Sequence, residues 1–491
     1  MKKIFPLLFL LSMPFALAAQ KFEMNVNCKT AYDLVLQGRM EKAAVLLAYE
    51  RKNNAENLCP EFLDNYVEFV SFLITEDKTF VESMEANKSK RVSKLEGLSD
   101  ADPYKRWSIA VLNLQMAFLK VKAGQQYEAA IDVRRSLLLL ERNKKRFSDF
   151  LQNELPLGIL HATVGTIPPE YKWVLKIVSV EGSVAQGREE LRHFLACSSR
   201  FDNLRYLHNE ALYYLSFLET SFSDSKEERA WTLSQFRQSY LNYPILVESK
   251  ANLEAKLGLM DESLKTIKGF AQNDCLYYCR LDYLKADLLL KKCDFSAEDA
   301  YRKFLKMNRG GDYKADALRK LAWIACLRDD ENEYRRLMKK VSEMNCSVNE
   351  IDCEAIREAR AGVMPNKSLL KARLFFDGFL FEKALQSLEL ASADSLSEKE
   401  SLEVIYRKAR VYHEMGLEQK AVECYRKTIS AGESLRNYYA ANAALKLGEL
   451  YLSRGDTVEA KTKLHLCLEM NPDEYKNGIH QKANAILNQI R

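Results

Sequence analysis

The sequence predicts an all-α solenoid of stacked antiparallel helical hairpins. Gly and Pro number only 18 and 10 among 491 residues, a usage that suits long helices joined by short turns. A small–x6–Gly–x4–small frame recurs at Ala31/Gly38/Ala43, Ala117/Gly124/Ala129, Ala251/Gly258/Ser263, Ala409/Gly416/Ala421 and Gly448/Gly455/Ala460. Nothing alternates apolar and polar residues for long enough to form a sheet. The glycine supplies a left-handed turn, and the small residues let two helices approach closely. About ten to thirteen hairpins are expected, each stabilised by packing on its neighbours.

In chain order, Lys2 and Lys3, the apolar run 4–17 and the small residues around Ala18 have the layout of a secretory signal peptide, with cleavage expected after Ala18 and Ala19 as the alternative. Export places the mature chain in the periplasm, with outer-membrane association or extracellular release as alternatives. The segment 58–82 has apolar residues at helical spacing (Phe62, Tyr66, Phe69, Val70, Leu73). Asp102-Pro103 is an N-cap followed by a first-turn proline, opening a helix through Trp107 to Val121. Further hairpins are expected at 204–219 with 229–241, closed by Tyr243-Pro244, and at 313–327 with 331–344. Ala372/Gly378/Ala384 is the same frame with its turn shifted, and 283–305 keeps the apolar spacing without a glycine. The resulting division is 1–18 signal peptide, 19–154 N-terminal repeats, 155–200 junction, 201–365 central degenerate repeats and 366–491 C-terminal repeats.

The stretch 441–472 shows the repeat most completely, through Leu447, Gly448, Tyr451, Ala460, Leu464, Cys467 and Pro472. In that spacing the chain resembles the tetratricopeptide (TPR) repeat proteins. The junction is different. Gly158, Gly165, Pro168 and Pro169 break the helical rhythm, 171–180 restarts it, and Gly182 and Gly187 repeat the turn spacing. Its apolar residues Ile159, Leu160, Val164, Ile167, Trp173, Val174 and Ile177 predict a buried contact between two helical blocks. The order Gly158, Gly165, Pro168, Tyr171, Gly182, Gly187, Leu191, with the stretch 365–385 and the repeats after it, is similar to a helical-repeat family of eukaryotic inclusion-body clearance and outer mitochondrial membrane proteins. Exported bacterial proteins share this layout.

No catalytic or cofactor motif stands out. The six histidines form no His-Glu-x-x-His, no Gly-x-Ser-x-Gly is present, and no phosphate-binding glycine loop occurs. The chain reads as a non-enzyme without metal or cofactor. Eleven cysteines cannot all pair internally. Cys28 with Cys59, flanking the first hairpin, and Cys346 with Cys353 are the plausible bridges in an oxidising compartment. Cys275 and Cys279 are four apart and are expected on one helix face, while Cys326, Cys424 and Cys467 fill helical core positions.

A formal charge of +5, reduced to +3 by removing Lys2 and Lys3, is no footprint for nucleic acid. The densest basic patch, Arg142, Lys144, Lys145 and Arg146 with Arg134 and Arg135 before it, is a solvated helix end or a peripheral membrane contact. The TPR resemblance implies a concave wall made by the first helix of each hairpin. In that frame Tyr406, Arg410 and His413 fall on the wall in one unit, and Leu445, Glu449 and Leu452 in the next. These mixed apolar and charged positions suit a protein or peptide partner, without the Lys/Asn-rich clamp of chaperone-binding TPR domains. The function expected is a non-catalytic scaffold or adaptor of the bacterial cell envelope. The alternative is an envelope factor in outer-membrane or lipid handling.

Overall fold

A left-handed residue two positions before the second helix closes one hairpin after another. The computed structural model describes residues 20–490 apart from 78, 168–180, 224, 347–348 and 393–395. The expected signal peptide, Pro168, Pro169 and the apolar stretch containing Trp173, Val174 and Ile177 lie outside the described residues. Among the described residues there are 24 α-helices and no strand, only an isolated bridge between Lys21 and Asn57. This is the TPR-like all-α solenoid architecture of stacked hairpins.

All five frame glycines take the turn conformation, with φ of 74° at Gly38, 79° at Gly124, 82° at Gly258, 71° at Gly416 and 79° at Gly455. Next to each, the same bond ties the turn to the helix it ends: Arg39 N–H to Leu34 O (2.9 Å), Gln125 to Lys120 (2.8 Å), Leu259 to Glu254 (2.9 Å), Leu417 to Tyr412 (2.9 Å) and Asp456 to Tyr451 (3.0 Å). These bonds satisfy carbonyls that a helix end would otherwise leave open. Two further hairpins have the same turn without a glycine. Asp329 (φ 65°) precedes the helix Glu331–Ser342, and Phe379 (φ 57°) precedes Phe381–Ser392. Gly378 itself has φ −93°, so the shifted frame is Ala372/Phe379/Ala384. Cys293 (φ 53°) takes the left-handed position after the helix Arg280–Leu290.

The chain divides into two units, the first comprising residues up to Leu253 with Lys268–Tyr278, the second Glu254–Ile267 with everything from Cys279 onward. In the first unit the helix Val26–Leu36 pairs with Met40–Asn53, Cys59–Thr75 with Thr79–Glu96, Pro103–Lys122 with Gln126–Arg146, and Glu154–Thr166 with Val184–Arg200. Asp102 caps its helix as expected, accepting from Tyr104 N–H at 2.8 Å. The helix expected over 58–82 ends at Thr75, where Glu76 turns left-handed (φ 54°). The second expected hairpin arm at 229–241 is shorter, Lys226–Ser234 followed by a 3-10 turn to Asn242.

The junction glycines do not break helices. Gly158 and Gly165 lie within Glu154–Thr166, and Gly187 lies within Val184–Arg200. They are contact surfaces: a Cβ at Gly187 would sit 2.5 Å from Gly158 O and 2.6 Å from Ala162 Cβ, and one at Gly182 would sit 2.7 Å from His161 O. Helix backbones this close leave no room for a side chain.

The first unit also departs from neighbour-only packing. The hydroxyl of Tyr32 donates to Glu210, 178 residues away, and that of Tyr66 donates to the same carboxylate at 3.1 Å. Tyr243 donates to Asp33 at 2.6 Å, and Leu276 N–H donates to Gly38 O at 2.9 Å. The later chain thus returns to the first hairpin and closes on it.

In the second unit the hairpins Lys314–Leu327 with Glu331–Ser342, Lys367–Asp377 with Phe381–Ser392, Glu398–Glu414 with Glu418–Gly432, and Tyr439–Ser453 with Thr457–Glu469 follow in order. Leu402, Tyr406, Ala409, Ala421, Tyr425, Tyr439, Ala443 and Leu447 form one continuous core across two of them. A Cβ at Gly448 would lie 2.9 Å from Leu464 Cγ, which confirms the close helix contact expected there. Cys275 and Cys279 are not on a helix face, because the next helix begins only at Arg280. Cys326, Cys424 and Cys467 are helical as expected.

Candidate functional site

The helix Glu398–Glu414 starts from a capping box in which Ser397 and Glu400 satisfy each other's backbone N–H groups. This fixed start sets which side chains face inward. Tyr406 (3% exposed) and, on the next first helix, Leu445 (1% exposed) are buried in the hairpin core, so neither presents a surface to a partner. Their place is structural: the hydroxyl of Tyr406 accepts from Asn442 Nδ2 at 2.9 Å and from Arg410 Nη1 at 3.3 Å, linking the two helices. Leu452 is half-buried against the same core.

Arg410, His413 and Glu449 are half-buried, and the open wall is made by them with their helical neighbours. Glu403, Arg407 and Arg410 stand at i, i+4 and i+7 on one helix, and Asn442, Lys446 and Glu449 repeat that spacing on the next. Arg407 Nε donates to Glu403 at 2.6 Å, and Lys446 Nζ lies 2.6 Å from Glu449. Burial pushes the Glu403 carboxyl up, but the Arg407 guanidinium overcomes it and holds the group below the ordinary carboxylate range. The guanidinium of Arg410 lies 5.2 Å over the Phe376 ring. His413 Nδ1 meets Tyr425 OH at 3.1 Å, and burial pushes its imidazole pKa down. Glu403, Arg407, Asn442 and Lys446 were missed because the frame put Tyr406 and Leu445, which lie around the helix on the core side, in their place. A search for polar residues at i, i+4, i+7 beside each core tyrosine would have found them.

The wall is therefore a stripe of paired charges with aromatic backing. It offers hydrogen bonds and charge complementarity to a polypeptide and no activated nucleophile. Elsewhere, Ser198 Oγ and His208 Nδ1 are 2.9 Å apart in the first unit. Burial, with Arg237 nearby, pushes His208 down to about 4. Ser198 Oγ also meets Leu195 O (3.0 Å), and the far nitrogen of His208 has no hydrogen-bond partner. It borders a cavity of about 10 Å³ lined by Asn209, Gln235, Arg237 and Ser239, room for a single water. Among the described residues no carboxylate orients the ring, so there the pair lacks the third member of a nucleophile–base system. Among the described residues no cluster of three or more His, Cys, Asp or Glu is placed to hold a metal ion, and no helix is long and apolar enough to cross a membrane.

No protein-family model and no curated protein matches the chain. Among solved structures the chain is similar to the APC/C hetero-tetramer Cut9–Hcn1, at 11% identity over 92% of this chain and 95% of that one, with a TM-score of 0.24. A score that low carries no argument about fold or role. The architecture rests on the hairpins described above.

Proposed function

We propose that the chain is a non-catalytic TPR-type scaffold or adaptor of the bacterial cell envelope. It binds a protein partner through the wall made by Glu403, Arg407, Arg410, His413, Asn442, Lys446 and Glu449, with Leu452 at its edge. The observation that supports this reading is the register of two adjacent first helices, which present half-buried, charge-paired side chains in parallel rows. Rigid stacked helices with spaced polar contacts place a partner without transforming it. The signal-peptide layout supports export, and the Cys346–Cys353 disulfide fits an oxidising compartment. The periplasm is the compartment proposed, and the chain is assigned to the exported bacterial group of such proteins.

A photo-crosslinking residue at position 446, compared with one at the exposed outer position 427, tests the wall in fractionated envelopes. A protein captured from 446 and not from 427, and lost when Arg410→Glu is added, is the expected result. Equal capture from both positions would remove the wall from consideration.

A second reading, an envelope factor in lipid or outer-membrane handling, is favoured by one feature. Arg134, Arg135, Arg142, Lys144, Lys145 and Arg146 are all exposed on the helix Gln126–Arg146. Flotation of the mature protein with anionic but not neutral vesicles, abolished by Arg142→Glu with Lys145→Glu, would support it over the adaptor.

A further inference from the structure

The first hairpin brings together two cysteines whose pairing nothing in its helical architecture requires. Cys28 stands in the first turn of Val26–Leu36, and Cys59 is the first residue of Cys59–Thr75. Both are free thiols with 0% exposure, and the side chain of Asn57 reaches from Cys28 Sγ to the backbone N–H of Cys59. That side chain also ties in the segment that precedes Cys28. Asn57 Oδ1 accepts from Cys59 N–H at 3.1 Å and from Glu23 N–H at 2.9 Å, while its Nδ2 lies 3.7 Å from Cys28 Sγ and donates to Glu50 at 2.9 Å. Glu50, wholly buried, also accepts from Asn25 (2.6 Å), Asn27 (3.0 Å) and Asn54 (3.0 Å). Asn25 in turn caps the helix of Cys28, accepting its N–H at 3.0 Å. Four amides on one carboxylate make this a built, rigid cradle rather than a loose core.

We propose that Cys28 and Cys59 are a disulfide-forming pair that locks the first hairpin. The oxidant is a disulfide of the glutathione or thiol-oxidoreductase class. The thiolate of one cysteine attacks that disulfide and expels one thiolate. The second cysteine, having lost its proton to solvent, attacks the mixed disulfide and expels the other. Two electrons pass from the pair to the oxidant, which leaves as two thiols. Burial pushes the Cys59 thiol well above its ordinary range, so the folded pair exchanges slowly and the bond forms as the segment 20–27 docks. Cys28 shares its helix with Tyr32 and Asp33, the residues bonded to Glu210 and Tyr243, so a lock here anchors the helix on which the later chain closes. The proposal is independent of the binding wall, which lies in the other unit, and draws on export only for its oxidant.

The test refolds the reduced mature chain in a glutathione redox buffer, quenches with acid, alkylates and maps the peptides. A crosslinked pair of peptides containing Cys28 and Cys59 is expected, leaving two fewer alkylated cysteines than the nine free in the structure. The melting midpoint should fall on adding dithiothreitol, and Cys346→Ser should retain that fall while Cys28→Ser with Cys59→Ser loses it. Recovery of both cysteines fully alkylated, whatever the state of Cys346 and Cys353, overturns the proposal. Alkylation of both alongside a bound copper ion would also overturn it, in favour of a sulfur-ligand site that includes Met24, whose Sδ is 3.7 Å from Cys59 Sγ.

Discussion

Tyr32 donates its phenolic proton to Glu210 across 178 residues of chain, inside a nest that also holds Tyr66, Tyr206 and Tyr214. Burial pushes the Glu210 carboxyl up to about 7 although two hydroxyls donate to it. Two residues earlier, burial holds His208 neutral, down to about 4. The two act in opposite directions. Glu210 titrates higher in the fold than in the unfolded chain, so its contribution to stability is lost as pH rises from about 4.5 to 7. His208 titrates lower in the fold, so its contribution is lost as pH falls from about 6.5 to 4. The opposed slopes cancel over the shared window. Thermal melts of Glu210→Gln should become steeply acid-sensitive there, and His208→Gln should lose stability toward pH 7. Melting profiles parallel to wild type in both variants would exclude the assignment.

The left-handed turns give a second expectation. Gly124 and Gly455 have open space around the missing Cβ, so Ala there meets only the backbone penalty and should cost about 1 kcal/mol each. Asp329 already bears that penalty, and Asp329→Gly relieves it while giving up the exposed contact with Lys367, worth about 0–1 kcal/mol. Denaturant midpoints should therefore fall for both glycine variants and stay nearly unchanged for Asp329→Gly. An equal fall in all three would show that the turn is not what glycine serves.

These turns also mark how far the sequence could be read. Every turn glycine in the small–x6–Gly–x4–small frame was found, because only glycine adopts that conformation without strain and so leaves a visible trace. Asp329 and Phe379 occupy the same position unseen, since bonds from Asp330 N–H to Ala325 O and Leu380 N–H to Phe375 O hold them there regardless of side chain. The wall was half legible for a related reason. Periodicity gives the helix, but the choice between Tyr406 in the core and Arg407 facing out depends on how neighbouring hairpins rotate. The closure through Glu210 was not legible at all, because a return contact over that separation has no period.

The junction glycines predict a sharper outcome than the turns. Gly187→Ala would place its Cβ against Gly158 O and Ala162, both part of the facing helix. The hairpin must then open, at a cost of about 1–3 kcal/mol, whereas Gly478→Ala, with no atom nearby, should be neutral or stabilising. Hydrogen exchange should show protection lost in Glu154–Thr166 and Val184–Arg200 in the first variant alone. Unchanged protection there would mean that the helices are not in contact through these glycines.

In the second unit Lys320 is enclosed between Asp287 and Asp316, 2.9 Å from the latter, with Tyr283 donating to Asp316 and its ring 4.9 Å from the ammonium. Burial pushes the Asp287 carboxyl up, but the ammonium groups of Lys291 and Lys320 overcome it and hold it well below the usual range. Asp316 is lowered in the same way by Lys320 and Arg319. Both carboxylates titrate lower in the fold, so their contribution is present above about pH 4 and is lost as pH falls below it. Lys320→Met removes the shared cation and leaves two buried carboxylates facing each other. The expected cost is about 3 kcal/mol at neutral pH, toward the low end for a broken buried pair because Lys291 and Arg319 remain. That deficit should shrink as pH is lowered, since a protonated carboxyl no longer needs the ammonium. A deficit that stays constant as pH falls from 7 through about 4 and on below it would mean that Lys320 acts through the packing of its stem, not through its charge.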